Sequence, residues 1–392
     1  MVNAIDCGVG DLAGEVEEAP VALDVLTRLE DARADWDDLF ARAPASAYQS
    51  YDFCNVWMET LGRAQGLAPM IVVARASGGR AVALLPLAFG RVGPLGVARF
   101  IGGRESNLNC GLIARDAALG DMRLLLRRAA RAAPQSVDLF LLRNQPRSCA
   151  GAANPLALPG SSPSPSSAHA TALPARAADL DARLTGDARK KLRKKKTRLE
   201  TLGAVVFEHV ATGHRARDIV KTLLAQKAER LRGVDASFER TDMRDFVLRL
   251  VETGALEAHA LTLDGRIIAA YAGLPHERGF SAMLNSFDSE EEIARSSPGD
   301  LLLHALMRDL VARGFTRFDL GVGEGRYKNA VCDETIALVD TIVPASPLGV
   351  VAAPLFVAAT RAKRQIKQTP WMFRRAVRLR GAFGRVRPPS RS

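Results

Sequence analysis

A chain of 392 residues with 47% hydrophobic content is longer than one ordinary core needs, so we expect a globular protein of two domains. The five cysteines include no C-x-x-C pair and the six histidines have no ligand spacing, which argues against a disulfide framework and predicts no metal site. The formal net charge is +11, and residues 344–392 account for it with eleven Lys or Arg and no Asp or Glu.

The first part of the chain predicts helices and strands in alternation. Helical spacing is present around WDDLFARA and YDFCNVWMETLG, and again over 119–133. Apolar runs at 70–76, 81–89 and 137–142 predict strands. The N-terminus has no basic flank followed by an apolar core, so we expect no secretory signal and a cytoplasmic protein.

Residues 154–174 are rich in Pro and Ser and predict a linker or long loop. Beyond it, the predicted helices are 187–202, 214–232, 240–253 and 299–313. The predicted strands are AVVFEHV, LEAHALTL, IIAAYAGL, GFSAMLNSF and TRFDLG.

Both halves have the same order of elements and a similar hairpin signal, SGGRAVA at 77–83 and LDGRIIA at 263–269. This likeness indicates an internal duplication. The predicted fold class is α/β (α+β), with two tandem lobes that each hold a mixed, mostly antiparallel sheet flanked by helices.

The segment SSPGDLLLHALMRDL predicts a helix with a polar start. Serine, proline and glycine suit the first turn, and the N–H groups near Ser297, Gly299 and Asp300 could converge on an anion. The alternative is simply a well-capped helix.

The segment FDLGVGEGRYKNAV has glycines at 321, 323 and 325. Their G-x-G-x-G spacing differs from the G-x-G-x-x-G of a dinucleotide-binding loop, so the glycines predict a turn or a close backbone approach.

Residues 35–343 resemble the GNAT superfamily of acyltransferases, and more narrowly its CelD-like, cellulose-biosynthesis branch. The resemblance is carried by ARKKLRKKKTRLETLG, SSPGDLLL and FDLGVGEGRYKNAV, and in the first half by WDDLF, SYDFCNVW, VALLPLAF and FIGG. It implies that acetyl-CoA or another acyl-CoA lies between two splayed strands, here GFSAMLNSF and TRFDLG. The superfamily's usual Gln/Arg-x-x-Gly-x-Gly/Ala turn is absent.

The resemblance also implies roles for particular residues. The turn that would hold the CoA pyrophosphate comprises Ser296, Ser297, Pro298, Gly299 and Asp300. Tyr327 is the candidate acid for the departing thiolate, Glu324 the base or acceptor-orienting group, and Lys328 a partner for an acidic acceptor or a phosphate. For Glu324 and Lys328 a solvated surface charge is the alternative, and for Tyr327 a packed aromatic. Asp319 is expected to bond loop amides.

The predicted domains are an N-terminal, non-catalytic lobe (1–153), the linker or loop (154–174), the C-terminal acyltransferase domain (175–343) and a basic tail (344–392). We expect direct acyl transfer to an amine or hydroxyl of a sugar, a polysaccharide precursor or another small metabolite. The alternatives are a Fem-like transferase that uses aminoacyl-tRNA and a non-catalytic scaffold that binds polyanions.

Two basic segments bear on possible partners. The block RKKLRKKKTR at 189–198 could attract a phosphorylated ligand or RNA, but it lacks interleaved aromatic residues, which disfavours nucleic acid. The tail is predicted to contact anionic lipid at the inner membrane face, or to be a solubilising end.

Overall fold

The computed structural model describes residues 22–232, 235–323, 325, 328, 331–369, 371–372 and 375. Its α-helices are, in chain order, α1 Arg33–Arg42, α2 Tyr51–Trp57, α3 Met122–Ala132, α4 Ala177–Ala182, α5 Gly186–Glu200, α6 Gly213–Arg230, α7 Thr241–Glu252, α8 Glu291–Ala294, α9 Pro298–Ala312 and α10 Pro347–Gln368. Shorter helical turns are Glu30–Ala32, Ala47–Gln49 and Ala236–Glu239, and α2 continues as a π-helical turn over Met58–Gly62.

The strands in the first half are β1 Ala22–Leu26, β2 Ala68–Arg75, β3 Ala81–Val92, β4 Leu95–Phe100, β5 Leu112–Ile113, β6 Leu139–Pro146, β7 Ser148–Cys149, β8 Ala152–Ala153, β9 Ser162–Pro163 and β10 Ala168–Ala172. Those in the second half are β11 Val205–Val210, β12 Glu257–Leu263, β13 Arg266–His276, β14 Gly279–Phe287, β15 Arg317–Val322, β16 Glu334–Ile336 and β17 Leu338–Pro344.

Two large sheets have the same plan. The first runs β1-β2-β3-β4-β6-β17-β9, with β5 beside β3, and the second runs β11-β12-β13-β14-β15-β10-β16. In each, the strands are antiparallel except for one parallel pair, β4 with β6 and β14 with β15. The predicted fold class, two mostly antiparallel sheets flanked by helices, is therefore confirmed.

The two hairpins predicted from SGGRAVA and LDGRIIA join β2 to β3 and β12 to β13. Gly79 and Gly265 have φ angles of 80° and 81°, a backbone conformation that a residue with a side chain adopts only with strain.

The sheets exchange one strand each. β10 comes from the Pro/Ser-rich stretch 154–174 and pairs with β15 in the second sheet, whereas β17 follows that sheet in sequence but pairs with β6 in the first. Because chain segments cross in both directions, the sheets do not follow the proposed boundaries at 153, 174 and 343, and the division into domains stays a prediction.

Helices cover both faces of the sheets. A continuous apolar cluster joins α1 and α2 to α6 and α7, and the rings of Phe53 and Phe246 meet edge to face with centroids 5.7 Å apart. A second cluster lies between the first sheet and α3, and a third between the second sheet and α9. The first of these clusters contains residues of both halves, so the two sheets are joined by apolar packing.

One face of α9 is buried against the second sheet, and it carries Leu302, Leu303, Leu306 and Leu310. The basic tail begins with α10, which contacts the first sheet through Ala353 and Phe356. Close packing requires Gly349 there, because a Cβ at this position would lie 1.8 Å from the carbonyl oxygen of Asp138. None of the helices in the described part of the chain has the length and apolar character needed to cross a bilayer.

Candidate functional site

The second sheet splits between its two parallel strands. β14 and β15 pair over only three positions, Gly279 with Arg317, Phe280 with Phe318 and Ser281 with Asp319. In the described residues no pairing continues beyond Ser281 and Asp319, although β14 extends to Phe287. The diverging strands therefore present unpaired backbone N–H and C=O groups that could bond the amides of a ligand.

Asp319 lies at the apex of this split and is 4% exposed. Its Oδ1 accepts a hydrogen bond of 2.7 Å from the N–H of Gly321, as the sequence predicted for a carboxylate that bonds loop amides. Its Oδ2 is buried and has no hydrogen-bond partner among the described residues. Burial raises the pKa of Asp319 to about 6, against the opposing effect of the Gly321 N–H.

Residues of the N-terminal half complete the apex. Asn107 donates from Nδ2 to the hydroxyl of Tyr48 (2.6 Å), and its Oδ1 accepts from the N–H of Val322 (3.1 Å). Gly321 has a φ of 75°, and a Cβ there would lie 2.5 Å from Nδ2 of Asn107. The glycine thus permits both the turn and the close approach of the two halves.

Lys328 is 6% exposed, so the alternative of a solvated surface charge does not describe it. Its ammonium donates to the carbonyl oxygens of Gly321 (2.9 Å) and Val322 (3.2 Å). The side chain ties the chain after β15 back to the strand end. Pairing of Lys328 with an acidic acceptor or a phosphate stays a prediction.

The other two predicted catalytic residues, Tyr327 and Glu324, lie outside the described residues. Their roles as acid and as base or orienting group stay predictions.

The predicted pyrophosphate-binding turn lies beside the far end of β14. Ser297 has a left-handed backbone (φ 47°), Pro298 begins α9, and a Cβ on Gly299 would lie 3.6 Å from the ring of Phe287. The guanidinium of Arg230 stacks on that ring at 4.7 Å, which adds a positive charge near the turn.

The hydrogen bonds of the turn differ from the expected convergence of three N–H groups. The N–H of Ser297 donates to Ala294 O (2.9 Å) and that of Asp300 to Ser297 O (3.0 Å), so both are used within the turn. Ser296 is fully buried, and its Oγ has no partner among the described residues. An anion here would rely on the N–H of Gly299 and the positive end of α9.

The basic helix α5 reaches this turn. Nζ of Lys195 donates to Oδ2 of Asp300 at 2.6 Å, with the lysine 29% and the aspartate 49% exposed. The ion pair offsets the negative charge that Asp300 would otherwise bring to an anion-binding turn.

Lys227 is a candidate that the sequence did not single out. It is partly buried on α6, where Nζ donates to the carbonyl oxygen of Asn285 (3.2 Å), on the diverging part of β14, and lies 5.0 Å from the ring centroid of Phe238. Burial, with a smaller effect of Arg230, lowers the pKa of Lys227 to about 8. An amine with this pKa can accept a proton near neutral pH. Its sequence context, LLAQKAER, gives no signal of burial.

Within the part of the chain that the structure describes, one group of side chains has ligand atoms close enough for a metal. His209, Glu257 and His259 lie within 4.8 Å of one another on β11 and β12. Burial lowers the pKa of His259 to about 3, so its imidazole is neutral. Both carboxylate oxygens of Glu257 already accept from Arg313, at 2.8 and 2.9 Å, and this guanidinium would compete with a cation. The absence of a metal stays a prediction.

The sheet splits at a parallel strand pair, and a helix begins beside the diverging strand, which is the arrangement expected from the resemblance to GNAT transferases. Residues 186–329 match the family described as an acetyltransferase (GNAT) domain. The matched range contains the basic helix, the split strands and the turn at the start of α9.

Solved structures extend the likeness beyond that domain. The crystal structure of FemX is 10% identical, covers 84% of this chain and 99% of its own, and superposes with a TM-score of 0.58. The C-terminal domain of a candidate lysylphosphatidylglycerol synthetase from Agrobacterium fabrum is 14% identical, covers 85% and 96%, and gives a TM-score of 0.51. At these identities the likeness shows the fold alone. No curated protein matches the sequence.

Proposed function

We propose that this protein is a tandem GNAT acyltransferase of the CelD-like branch, whose C-terminal lobe transfers an acyl group, in the first instance acetyl, from acyl-CoA. The acceptor is an amine or hydroxyl of a sugar, a polysaccharide precursor or another small metabolite. The observation that carries the proposal is the split between β14 and β15 inside the GNAT domain, with the start of α9 beside the far end of β14.

In the proposed arrangement, unpaired backbone groups of the diverging strands bond the pantetheine amides of the cofactor. The residues Ser296, Ser297, Pro298, Gly299 and Asp300 hold its pyrophosphate at the positive end of α9. The fit is partial. Of the N–H groups of Ser297, Gly299 and Asp300, only that of Gly299 forms no hydrogen bond within the turn.

Transfer is direct in this proposal. The acceptor nitrogen or oxygen attacks the thioester carbonyl, its bond to that carbon forms, the carbon–sulfur bond breaks, and the sulfur leaves with the electron pair. Lys227 in its neutral form, or Glu324, takes the proton from the acceptor, and Tyr327 protonates the departing thiolate. Lys328 and Asp319 hold the strand end that precedes Tyr327.

Calorimetry with acetyl-CoA tests the cofactor assignment. Gly299→Asp brings a carboxylate to the start of α9, so we expect it to abolish acetyl-CoA binding. Gly186→Asp is the matched control, because it places the same charge in the first turn of α5, where a Cβ meets open space. Equal binding by both variants would rule out the turn as the pyrophosphate site.

The acid assignment is tested by release of free CoA thiol with an acceptor identified from pools of amines and sugars. Tyr327→Phe should lower kcat, since the thiolate loses its proton donor. Tyr51→Phe, on α2, is the control. Unchanged turnover in Tyr327→Phe would remove Tyr327 from the mechanism.

A second candidate is aminoacyl transfer from aminoacyl-tRNA. It is favoured by the match to FemX over 84% of the chain and by the basic surface of α5, whose lysines and arginines are mostly exposed. Transfer of a radiolabelled amino acid from aminoacyl-tRNA, with no calorimetric response to acetyl-CoA, would support this candidate over acyl-CoA. Steep salt-dependent binding of polyanions without any turnover would instead support a scaffold.

We also propose peripheral contact with anionic membrane through α10. Val351 and Leu355 are 75% and 71% exposed on this helix, and basic residues follow them in sequence. Exposed apolar side chains beside positive charge suit an interfacial position.

A further inference from the structure

The first sheet has a split of its own, at the place that corresponds to the split in the second. β4 and β6 pair in parallel only at Val97 with Leu139 and Ala98 with Phe140. A cavity of about 480 Å³ opens beyond these pairs. It lies between the diverging strands, the C-terminal helix α10 and the segment that leads into α7.

Basic side chains converge on this cavity from several elements. Arg99 extends from β4, Arg143 from β6 and Lys363 from α10, and Arg104 and Arg240 stand at its rim. Val97, Leu139 and Leu141 pack against α10, so alternation along the strands brings Arg99 and Arg143 to that same face. The cations therefore come from opposite walls of one cavity.

Among the described residues, the three inner cations form no ion pair. Within the same part of the chain, Nε of Arg99 is buried with no hydrogen-bond partner. Burial, and then the nearby charge of Arg143, lower the pKa of Arg99. Burial likewise lowers the pKa of Lys363, with Lys367 and Arg143 acting in the same direction and Asp340 acting against them.

The carboxylates in the cavity wall are engaged elsewhere. Glu105 accepts from Nε1 of Trp57 at 3.1 Å, and burial raises its pKa. Oδ1 of Asp340 accepts from the N–H of Asn144 at 3.1 Å and from the hydroxyl of Ser164. Among the described residues neither Glu105 nor Asp340 forms an ion pair with the inner cations, although Asp340 is close enough to raise the pKa of Lys363, and the three cations outnumber the two carboxylates.

We propose that this cavity, bounded by Arg99, Arg143 and Lys363, binds the phosphate or diphosphate group of a ligand. Guanidinium groups bond phosphate oxygens in pairs, and an unpaired buried donor costs free energy until an acceptor reaches it. The cavity is also lined by Asn109, two residues from Asn107, which contacts the turn after Asp319. A ligand bound here can thus extend toward the apex of the second sheet. The site does not depend on acyl-CoA binding in the C-terminal lobe.

Titration of the full-length protein with inorganic pyrophosphate, followed by calorimetry at constant ionic strength, tests the site. Gly299→Asp is used as the background, so that binding at the start of α9 is separated from binding in the cavity. We expect saturable binding that weakens at least about tenfold in Arg99→Gln and in Arg143→Gln, because each removes a charge-assisted contact.

Arg131→Gln is the matched control, since Arg131 lies in the last turn of α3, which covers the opposite face of the same sheet. Its binding should stay within about twofold of the background, as expected for a distant surface charge. Unfolding midpoints of all variants establish that each is folded. Arg143 is exposed, so Arg143→Gln keeps the test valid even if Arg99→Gln does not fold.

Two sources of the phosphate group are distinguished by competition. If CoA displaces pyrophosphate in the Gly299→Asp background, the cofactor itself is the ligand of the cavity. If CoA does not displace it and uridine diphosphate does, the ligand is a phosphorylated acceptor. Absence of saturable pyrophosphate binding, or equal binding by Arg99→Gln, Arg143→Gln and Arg131→Gln, would overturn the proposal.

Discussion

Replacing Asp319 by Asn should change how the stability of this protein depends on pH. The carboxyl group is buried at the apex of the split sheet, and its pKa rises from 3.8 to about 6 on folding. Between these values the folded state binds a proton that the unfolded state has lost, so stability falls as the pH rises through this window. Above about pH 6 the folded state carries the full cost of a buried charge.

The magnitude follows from the pKa values. One pKa unit corresponds to ~1.36 kcal/mol, so a rise from 3.8 to about 6 amounts to about 3 kcal/mol, as an order of magnitude. Asn keeps an oxygen for the N–H of Gly321 and cannot ionise. We therefore expect the variant to match the wild type near pH 4 and to exceed its free energy of unfolding by up to about 3 kcal/mol near pH 8.

Urea unfolding at about pH 4, 5, 6, 7 and 8 measures this difference, and other titrating groups cancel because both proteins share them. Asp116→Asn, at an exposed position, is the control and should show no such trend. A difference between Asp319→Asn and wild type that is the same at all these pH values would refute the reasoning.

Three further changes test the contacts that hold the site. Gly349→Ala should lower the free energy of unfolding by several kcal/mol or detach α10, because its Cβ would meet the Asp138 carbonyl. Gly186→Ala is the control and should leave the stability unchanged. Urea unfolding measures both variants, and equal stabilities would contradict the packing. Lys328→Met should speed amide hydrogen exchange over residues 319–323, because no ammonium then bonds the carbonyl oxygens of Gly321 and Val322. Unchanged exchange there would show that the lysine does not hold the strand end. Val351→Ser with Leu355→Ser should reduce sedimentation with vesicles of anionic lipid without lowering the unfolding midpoint, and equal sedimentation would contradict the membrane proposal.

Several features of the fold could be predicted because they depend on local sequence. The helix predicted at 187–202 is observed at Gly186–Glu200, and the one predicted at 299–313 is observed at Pro298–Ala312. Helical periodicity and a capping residue or proline define such segments without reference to the rest of the chain. The hairpins at 77–83 and 263–269 follow in the same way from glycines in a turn.

The exchanged strands could not be predicted. Residues 168–172, AHATA, and residues 338–344, LVDTIVP, are short, and their partners β15 and β6 are far away in sequence. A Pro- and Ser-rich stretch predicts a loop. One part of it forms a strand only because it pairs with the available edge of a sheet. The burial of Lys328 could not be predicted for a similar reason. Its charge suggests solvent exposure, and its burial depends on carbonyl groups that the turn brings together.

By itself, the sequence determined the fold class, the order of most elements and the segment that resembles a GNAT domain, because hydrophobic periodicity and turn residues act over a few positions. Only the tertiary structure decided the surroundings of individual charges: the burial of Asp319 beside Asn107 and Tyr48, the lowered pKa of Lys227, and the meeting of Arg99, Arg143 and Lys363 around one cavity. These surroundings are formed by elements remote in sequence, and desolvation and charge repulsion depend on distance in space.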